Sequence, residues 1–210
     1  ADNSQHYSSP TGDIEFFDQA SQLLQSDELN VFDISGESYR QDYGMDKLGQ
    51  GCLLARRLVE NGVRVVEVHC GGWDMHNDIQ GSMSDRLPSI DKAVSTLIKD
   101  LDSRGLLETT MVVVGTDFGR TYRINDRAGR DHQPAVFSTM LAGGGITGGR
   151  TYGSSDEDGR RVGSDKVSVE DFHATIGYGL GIDLNYKIFS PSGRPFVFGN
   201  HGKPVTALYS

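Results

Sequence analysis

Residues 63–76 read VRVVEVHCGGWDMH, and this stretch decides the predicted fold. The first part, 63–70, is rich in valine, which is typical of a buried β-strand. Two glycines then end the strand, and Trp73, Asp74 and His76 follow directly. In open α/β sheets, ligands bind beyond the carboxyl ends of the strands. The stretch therefore predicts a strand with a ligand-binding loop at its end.

Helical patterns lie on both sides of this strand. Residues 46–60 carry an apolar stripe, and Gly62 is placed to cap the end of that helix. After the loop, apolar residues again recur at helical spacing, with Ser84 or Asp85 as the predicted N-cap. Residues 111–114 read MVVV, a second buried strand. A strand, a helix and a strand in this order predict a parallel pair with a right-handed crossover.

The remaining pattern completes the predicted fold class. The capping-box sequence at 168–171 opens a third helix, residues 150–167 have the turn-rich pattern of a hairpin, and 196–198 predict a short strand. Residues 1–12 are predicted to be an extended arm, and 13–210 a single α/β domain. We expect a mostly parallel sheet flanked by helices.

Composition and charge exclude several classes of protein. The chain has 210 residues, a net charge of -9 and a pI near 5.0. It therefore lacks the excess of basic residues with which proteins bind nucleic acids or anionic membranes. No apolar run is long enough to span a bilayer. Two cysteines, Cys52 and Cys70, cannot form a disulfide framework or a cysteine-only zinc site. They are either two free thiols or a single bridge, and a bridge would fit an oxidising compartment.

Acids and histidines recur where the predicted strands end. Asp74 and His76 lie two residues apart after the first strand, Asp117 follows the second, and Asp131 and His132 are adjacent further on. Carboxylate oxygen and imidazole nitrogen are a common ligand mixture for zinc or manganese. A loop aspartate that caps a turn, beside a surface histidine, would explain any one of these pairs. Their recurrence after consecutive predicted strands favours a metal site.

Arginines flank these candidate ligands. Arg120 and Arg130 belong to a local run of four arginines in an otherwise acidic protein. Guanidinium groups suit phosphate or sulfate oxygens. The alternative is a solvated loop whose arginines pair with nearby acids such as Asp126. Because they lie beside the predicted ligands, Arg120 and Arg130 are the favoured anion-binding residues.

Several ordered motifs give the chain a resemblance to a known family. They are LLARRLVENGVRVV at 53–66, GWDMH at 72–76, FGRT at 118–121, GRDHQP at 129–134, LAGGG at 141–145 and VEDFHATI at 169–176. Over residues 15–205 the chain resembles the DUF1501 family, which is related to the sulfatases within the alkaline-phosphatase-like superfamily. The resemblance implies an alkaline-phosphatase-like fold with a metal site at the strand ends.

The resemblance also implies the metal ligands, and the residues that flank them are the catalytic candidates. The expected metal is a divalent ion, either zinc, manganese or calcium. The predicted metal ligands are Asp74, His76, Asp117 and His132, and the predicted catalytic residues are Arg120, Arg130 and Asp131.

The implied activity is metal-dependent hydrolysis of phosphate or sulfate esters, with a small anionic ester or a sulfated or phosphorylated glycan as substrate. One alternative is a non-catalytic surface or assembly protein that keeps the fold, and a weaker one is a phosphomutase-like isomerase. Family members often carry export signals, which implies a periplasmic or extracellular location. The nucleophile of phosphatases and sulfatases lies near the N-terminus and has no counterpart here. We therefore expect this chain to be the C-terminal part of a longer protein. The N-terminal segment of the same protein would then be a partner of this chain, and a homo-oligomer is also possible.

Overall fold

The computed structural model describes residues 27–210. Its helices are α1 (Arg40–Tyr43), α2 (Lys47–Glu60), α3 (Ile79–Ser103) and α4 (Val169–Gly179). Short 3₁₀ turns lie at Asp27–Phe32, Leu107–Thr109, Phe198–His201 and Thr206–Leu208. The predicted arm at 1–12 lies outside the described residues, and the single domain over 13–210 stays a prediction.

The strands are short and pair antiparallel in twos. They are β1 (Val112–Val114), β2 (Gly119–Arg120), β3 (His132–Gln133), β4 (Met140–Ala142), β5 (Ser154–Ser155), β6 (Val162–Ser164), β7 (Lys187–Phe189) and β8 (Pro195–Val197). β1 pairs with β4, β2 with β3, β5 with β6 and β7 with β8. Over residues 27–210 the prediction of a mostly parallel, alkaline-phosphatase-like sheet is therefore wrong.

The valine-rich segment at 63–70 explains why that prediction fails. Within the described part of the chain, no backbone hydrogen bond joins this segment to a strand, so it is not a member of a sheet. Val68 packs against the helical core, whereas Val65 is 79% exposed. β1 instead pairs with β4, opposing Val113 to Leu141. The valine-rich composition predicted a buried strand, which is wrong, because most of this segment is exposed and none of it belongs to a sheet.

The hydrophobic core lies between α1, α2 and α3. Its buried members are Tyr43, Cys52, Leu53 and Ala93, which are at most 5% exposed. Half-buried apolar residues complete it: Ile34, Leu48, Val68 and Leu97. This packing holds the segment before the loop at 71–78 against one side of the helical layer.

Two of the three predicted helix caps are confirmed, the C-terminal glycine of α2 and the capping box of α4. Asp46 caps α2 by accepting from Gly49 N at 2.8 Å, and Gly62, at φ 86°, ends that helix as predicted. The capping box of α4 is also confirmed. The predicted cap of α3 at Ser84 or Asp85 is wrong, because the Asp78 carboxylate accepts from Gly81 N at 3.1 Å and starts the helix earlier.

Other local predictions are confirmed. The β5–β6 hairpin lies within 150–167, and β8 overlaps the strand predicted at 196–198. Both cysteines are free thiols, Cys52 buried and Cys70 exposed. Among residues 27–210, no helix combines the length and the apolar character needed to cross a bilayer.

A buried ion network joins α2 to α3. The Arg56 side chain is 1% exposed and donates to Glu60 at 2.6 Å and to Glu37 at 2.5 Å. Its Nε lies 2.9 Å from Asp100 Oδ2, although that N–H is not aimed along the contact. The Tyr43 hydroxyl donates to the same carboxylate at 3.0 Å. Burial and the negative charge of Asp100 raise the pKa of Tyr43, so the tyrosine remains a donor.

We predict that Arg56→Met lowers the free energy of unfolding by about 2 kcal/mol, because Asp100 and Glu37 each lose one of two guanidinium partners and keep only Arg104 and Arg57, respectively. Urea denaturation measures the change. Arg64→Met is the matched control, since Arg64 is exposed and away from this network. Equal or higher stability of Arg56→Met would show that the network is dispensable for the helical layer.

Candidate metal centre

Two loop segments, 71–78 and 121–131, carry most of the candidate site. The first connects the valine-rich segment at 63–70 to α3, and the second connects β2 to β3. β2 and β3 pair so that Arg120 opposes His132. The site therefore forms where the start of α3 meets this hairpin.

Backbone hydrogen bonds fasten the two segments together. Asp78 N donates to Arg127 O at 3.0 Å, Ile79 N to Ala128 O at 2.8 Å, and Arg130 N to Met75 O at 3.1 Å. Gly129 is buried within this contact. A Cβ atom at Gly129 would lie 2.0 Å from the carbonyl carbon of His76, so only glycine fits there.

Three ligand atoms converge beside this contact. Asp74 Oδ1 lies 2.8 Å from His132 Nε2 and 3.1 Å from His76 Nε2, and the two imidazole nitrogens lie 3.1 Å apart. Ligands about 2.1 Å from an octahedral ion stand about 3 Å from one another on one face, and slightly further apart around a tetrahedral ion. The spacing of the three atoms therefore suits one small divalent ion.

Asp131 supports His76 from the opposite side of the imidazole ring. His76 Nδ1 lies 2.9 Å from Asp131 Oδ1. A carboxylate only accepts in its ionised form, so Nδ1 carries the proton and Nε2 keeps its lone pair for an ion. The hydrogen bond from His76, then that from Asn125, and to a smaller extent the charge of Arg127, hold the pKa of Asp131 below its usual range.

Arg120 supports the carboxylate ligand. Its Nη2 donates to Asp74 Oδ1 at 2.6 Å and to the carbonyl of Trp73 at 3.0 Å. The hydrogen bonds from His132 and then Arg120 lower the pKa of Asp74 to about 2. Asp74 is therefore ionised at neutral pH, as a metal ligand must be.

The ring of His132 is held by packing. The Phe118 ring lies against it, with ring centroids 4.4 Å apart. Phe118 therefore contributes an aromatic surface to the cluster. Phe118 thus limits the rotation of His132 in addition to the hydrogen bond between His132 Nε2 and Asp74.

The structure brings together most of the residues that the sequence singled out. Asp74, His76 and His132 converge, with Asp131 and Arg120 beside them. Asp117 is exposed and lies outside this group. Within the described chain its carboxylate makes no hydrogen bond or ion pair, so its role as a ligand stays a prediction.

Arg130 has a different set of contacts. Its Nη1 donates to the carbonyls of Thr121 and Tyr122, each at 2.6 Å. These bonds close the loop after β2. The role of an anion-binding residue stays a prediction for Arg130, as it does for Arg120.

Sequence reasoning missed Asn125. Its side chain contacts Asp131 and the backbone of His76, and it also closes the turn that ends at Gly129. The available signal was an asparagine followed by Asp126 in a polar loop, the pattern of a turn closed by a side chain. Nothing in that local pattern indicates the contact with His76, which is distant in sequence.

The protein thus combines helices and short antiparallel strands with a candidate metal centre of two histidines and one aspartate. The chain belongs to the DUF1501 family, described as a protein of unknown function, whose family model matches residues 5–209. No curated protein and no solved structure gives a significant match to the chain.

We predict that Gly129→Ala lowers the free energy of unfolding by about 2 kcal/mol, because the added methyl group would push the 127–130 backbone away from His76. Urea denaturation measures the loss. Gly148→Ala is the matched control, since a Cβ there meets nothing within 4 Å. If both variants were equally stable, the close contact at Gly129 would not be a constraint on the fold.

Proposed function

We propose that this chain is a divalent-metal-dependent hydrolase of phosphate or sulfate esters. The observation that carries the proposal is the convergence of Asp74 Oδ1, His76 Nε2 and His132 Nε2 within 4.8 Å of one another. Two nitrogen ligands and one carboxylate oxygen suit zinc or manganese. Calcium, also expected from the family resemblance, prefers oxygen ligands alone and fits this set less well.

The number of ligands supports a catalytic rather than a structural site. Structural zinc sites use four protein ligands, whereas catalytic sites use three and keep positions open for water or substrate. Asp74, His76 and His132 supply three. When bound, a divalent ion polarises an ester oxygen and lowers the pKa of a coordinated water molecule.

The surrounding residues prepare the three ligands. Asp131 fixes the proton of His76 on Nδ1, and Arg120 fixes the Asp74 carboxylate. Arg123 and Arg127 are exposed on the same β2–β3 loop, and the charge of Arg127 acts on Asp131. In a protein of net charge -9, this local positive surface favours an anionic substrate. A sulfated or phosphorylated glycan or a smaller ester carries the required group.

A second candidate is a non-catalytic surface or assembly protein that keeps the same fold. The exposure of the site favours it, because the Asp74 side chain is 68% exposed and that of Asp131 is 54% exposed. Catalytic centres generally exclude bulk water around the reacting groups. This candidate predicts no turnover of any ester.

The proposal is tested by metal titration and ester hydrolysis together. We expect the wild-type protein to bind one zinc or manganese ion in isothermal titration and to hydrolyse p-nitrophenyl phosphate or p-nitrophenyl sulfate. His76→Ala and His132→Ala should weaken metal binding by more than the roughly 100-fold that outer partners of a site contribute, and should abolish turnover. His69→Ala is the matched control, because its side chain is 84% exposed and its one ion pair within residues 27–210 is with Glu67.

The outcomes separate the two candidates. A wild-type protein that binds no zinc or manganese, or His76→Ala and His132→Ala variants with unchanged affinity, would contradict the metal centre. Metal binding without hydrolysis of either ester would favour the non-catalytic protein.

A further inference from the structure

The Asn125 side chain uses its full hydrogen-bonding capacity at the candidate metal centre. Its Oδ1 accepts from Arg127 N at 3.0 Å and from Gly129 N at 2.9 Å. Its Nδ2 donates to the carbonyl of His76 at 3.1 Å and to Asp131 Oδ1 at 3.0 Å. One amide therefore joins the turn, the histidine backbone and the carboxylate that supports the histidine ring.

The two backbone donors decide which way the amide faces. Arg127 N and Gly129 N can donate only to an oxygen, so the NH₂ group of Asn125 must face His76 and Asp131. Its two N–H groups then meet a carbonyl oxygen and a carboxylate oxygen. All four contacts pair a donor with an acceptor, and the reversed orientation would oppose like groups at each of them.

Asp131 Oδ1 receives hydrogen bonds from both Asn125 Nδ2 and His76 Nδ1. The amide therefore holds this oxygen in line with the imidazole ring, where it accepts the hydrogen bond from His76 Nδ1. At the same time its bond to the His76 carbonyl fixes the backbone from which the ring extends. Asn125 acts on both ends of the same histidine.

From this geometry we propose that Asn125 is the positioning residue of the metal centre, which directs His76 Nε2 towards Asp74 and His132 by holding Asp131 and the His76 backbone. The inference rests on the proposed metal-binding function for its consequence. Asn125 itself does not contact the metal position, so it is not a ligand. The Asn125 Nδ2 group holds His76 and Asp131, whereas the Asn125 Oδ1 atom closes the turn.

Asn125→Asp separates these two parts. The variant keeps an oxygen that accepts from Arg127 N and Gly129 N, so the turn is retained. It replaces the Nδ2 donor by a second oxygen, which faces Asp131 Oδ1 and the His76 carbonyl without a proton to share. The matched control is Asn61→Asp, because Asn61 Nδ2 also donates to a backbone carbonyl, that of Arg57 at 2.8 Å, at the end of α2.

The test combines zinc titration with a readout that needs no metal. We expect Asn125→Asp to keep the wild-type near-ultraviolet circular dichroism and to bind zinc about 10- to 100-fold more weakly, the range found when an outer partner of a ligand is removed. Asn61→Asp should bind zinc like the wild type. In metal-free protein labelled with ¹⁵N-histidine, the spectrum should show His76 protonated on Nδ1 in the wild type and a mixture of ring forms in Asn125→Asp.

Each outcome bears on one claim. Unchanged zinc affinity and an unchanged His76 spectrum in Asn125→Asp would overturn the positioning role. A wild-type protein without zinc affinity would overturn the proposed metal centre, and the His76 spectrum alone would then decide whether Asn125 positions the ring. Equal weakening by Asn61→Asp would assign the effect to added charge and would also overturn the positioning role.

Discussion

The backbone pairing between residues 75–79 and 127–130 is the constraint on which the candidate site depends. It joins the first turn of α3 to the β2–β3 hairpin, because Ile79, the first residue of that helix, donates to Ala128 O. The close approach is open only to glycine at position 129. Without this contact, Asp74 and His76 would belong to one part of the molecule and His132 to another.

Pairing of each carboxylate with nearby donors also stabilises the candidate site. Asp74 and Asp131 are two carboxylates near one cluster, and each is matched by its own donors: Arg120 and His132 for the first, Asn125 and His76 for the second. Both carboxylates therefore stay ionised, and an ion bound by His132 Nε2 would take the place of the proton that this nitrogen donates to Asp74. In the proposed function, the arginines of the surrounding loop would attract the anionic ester, and the Asp74 carboxylate would bind the cation.

Local chemistry in the sequence predicted the helices and many of the site residues. The apolar stripe of 46–60, the glycine at 62 and the capping box at 168–171 each depend on neighbours a few residues away, and these predictions are confirmed. Sheet pairing depends on distant partners, so the valine-rich segment at 63–70 predicted a buried strand and a parallel sheet, and both are wrong. The role of Asn125 was hidden for the same reason, since its contact with His76 spans 49 positions.

Anomalous diffraction at the zinc absorption edge, from crystals grown with zinc, tests the metal centre most directly. The proposed centre predicts one strong peak about 2.1 Å from a carboxylate oxygen of Asp74 and from the Nε2 atoms of His76 and His132. A zinc peak bound by other residues, or an ordered cluster of these three side chains with no peak between them, would contradict it.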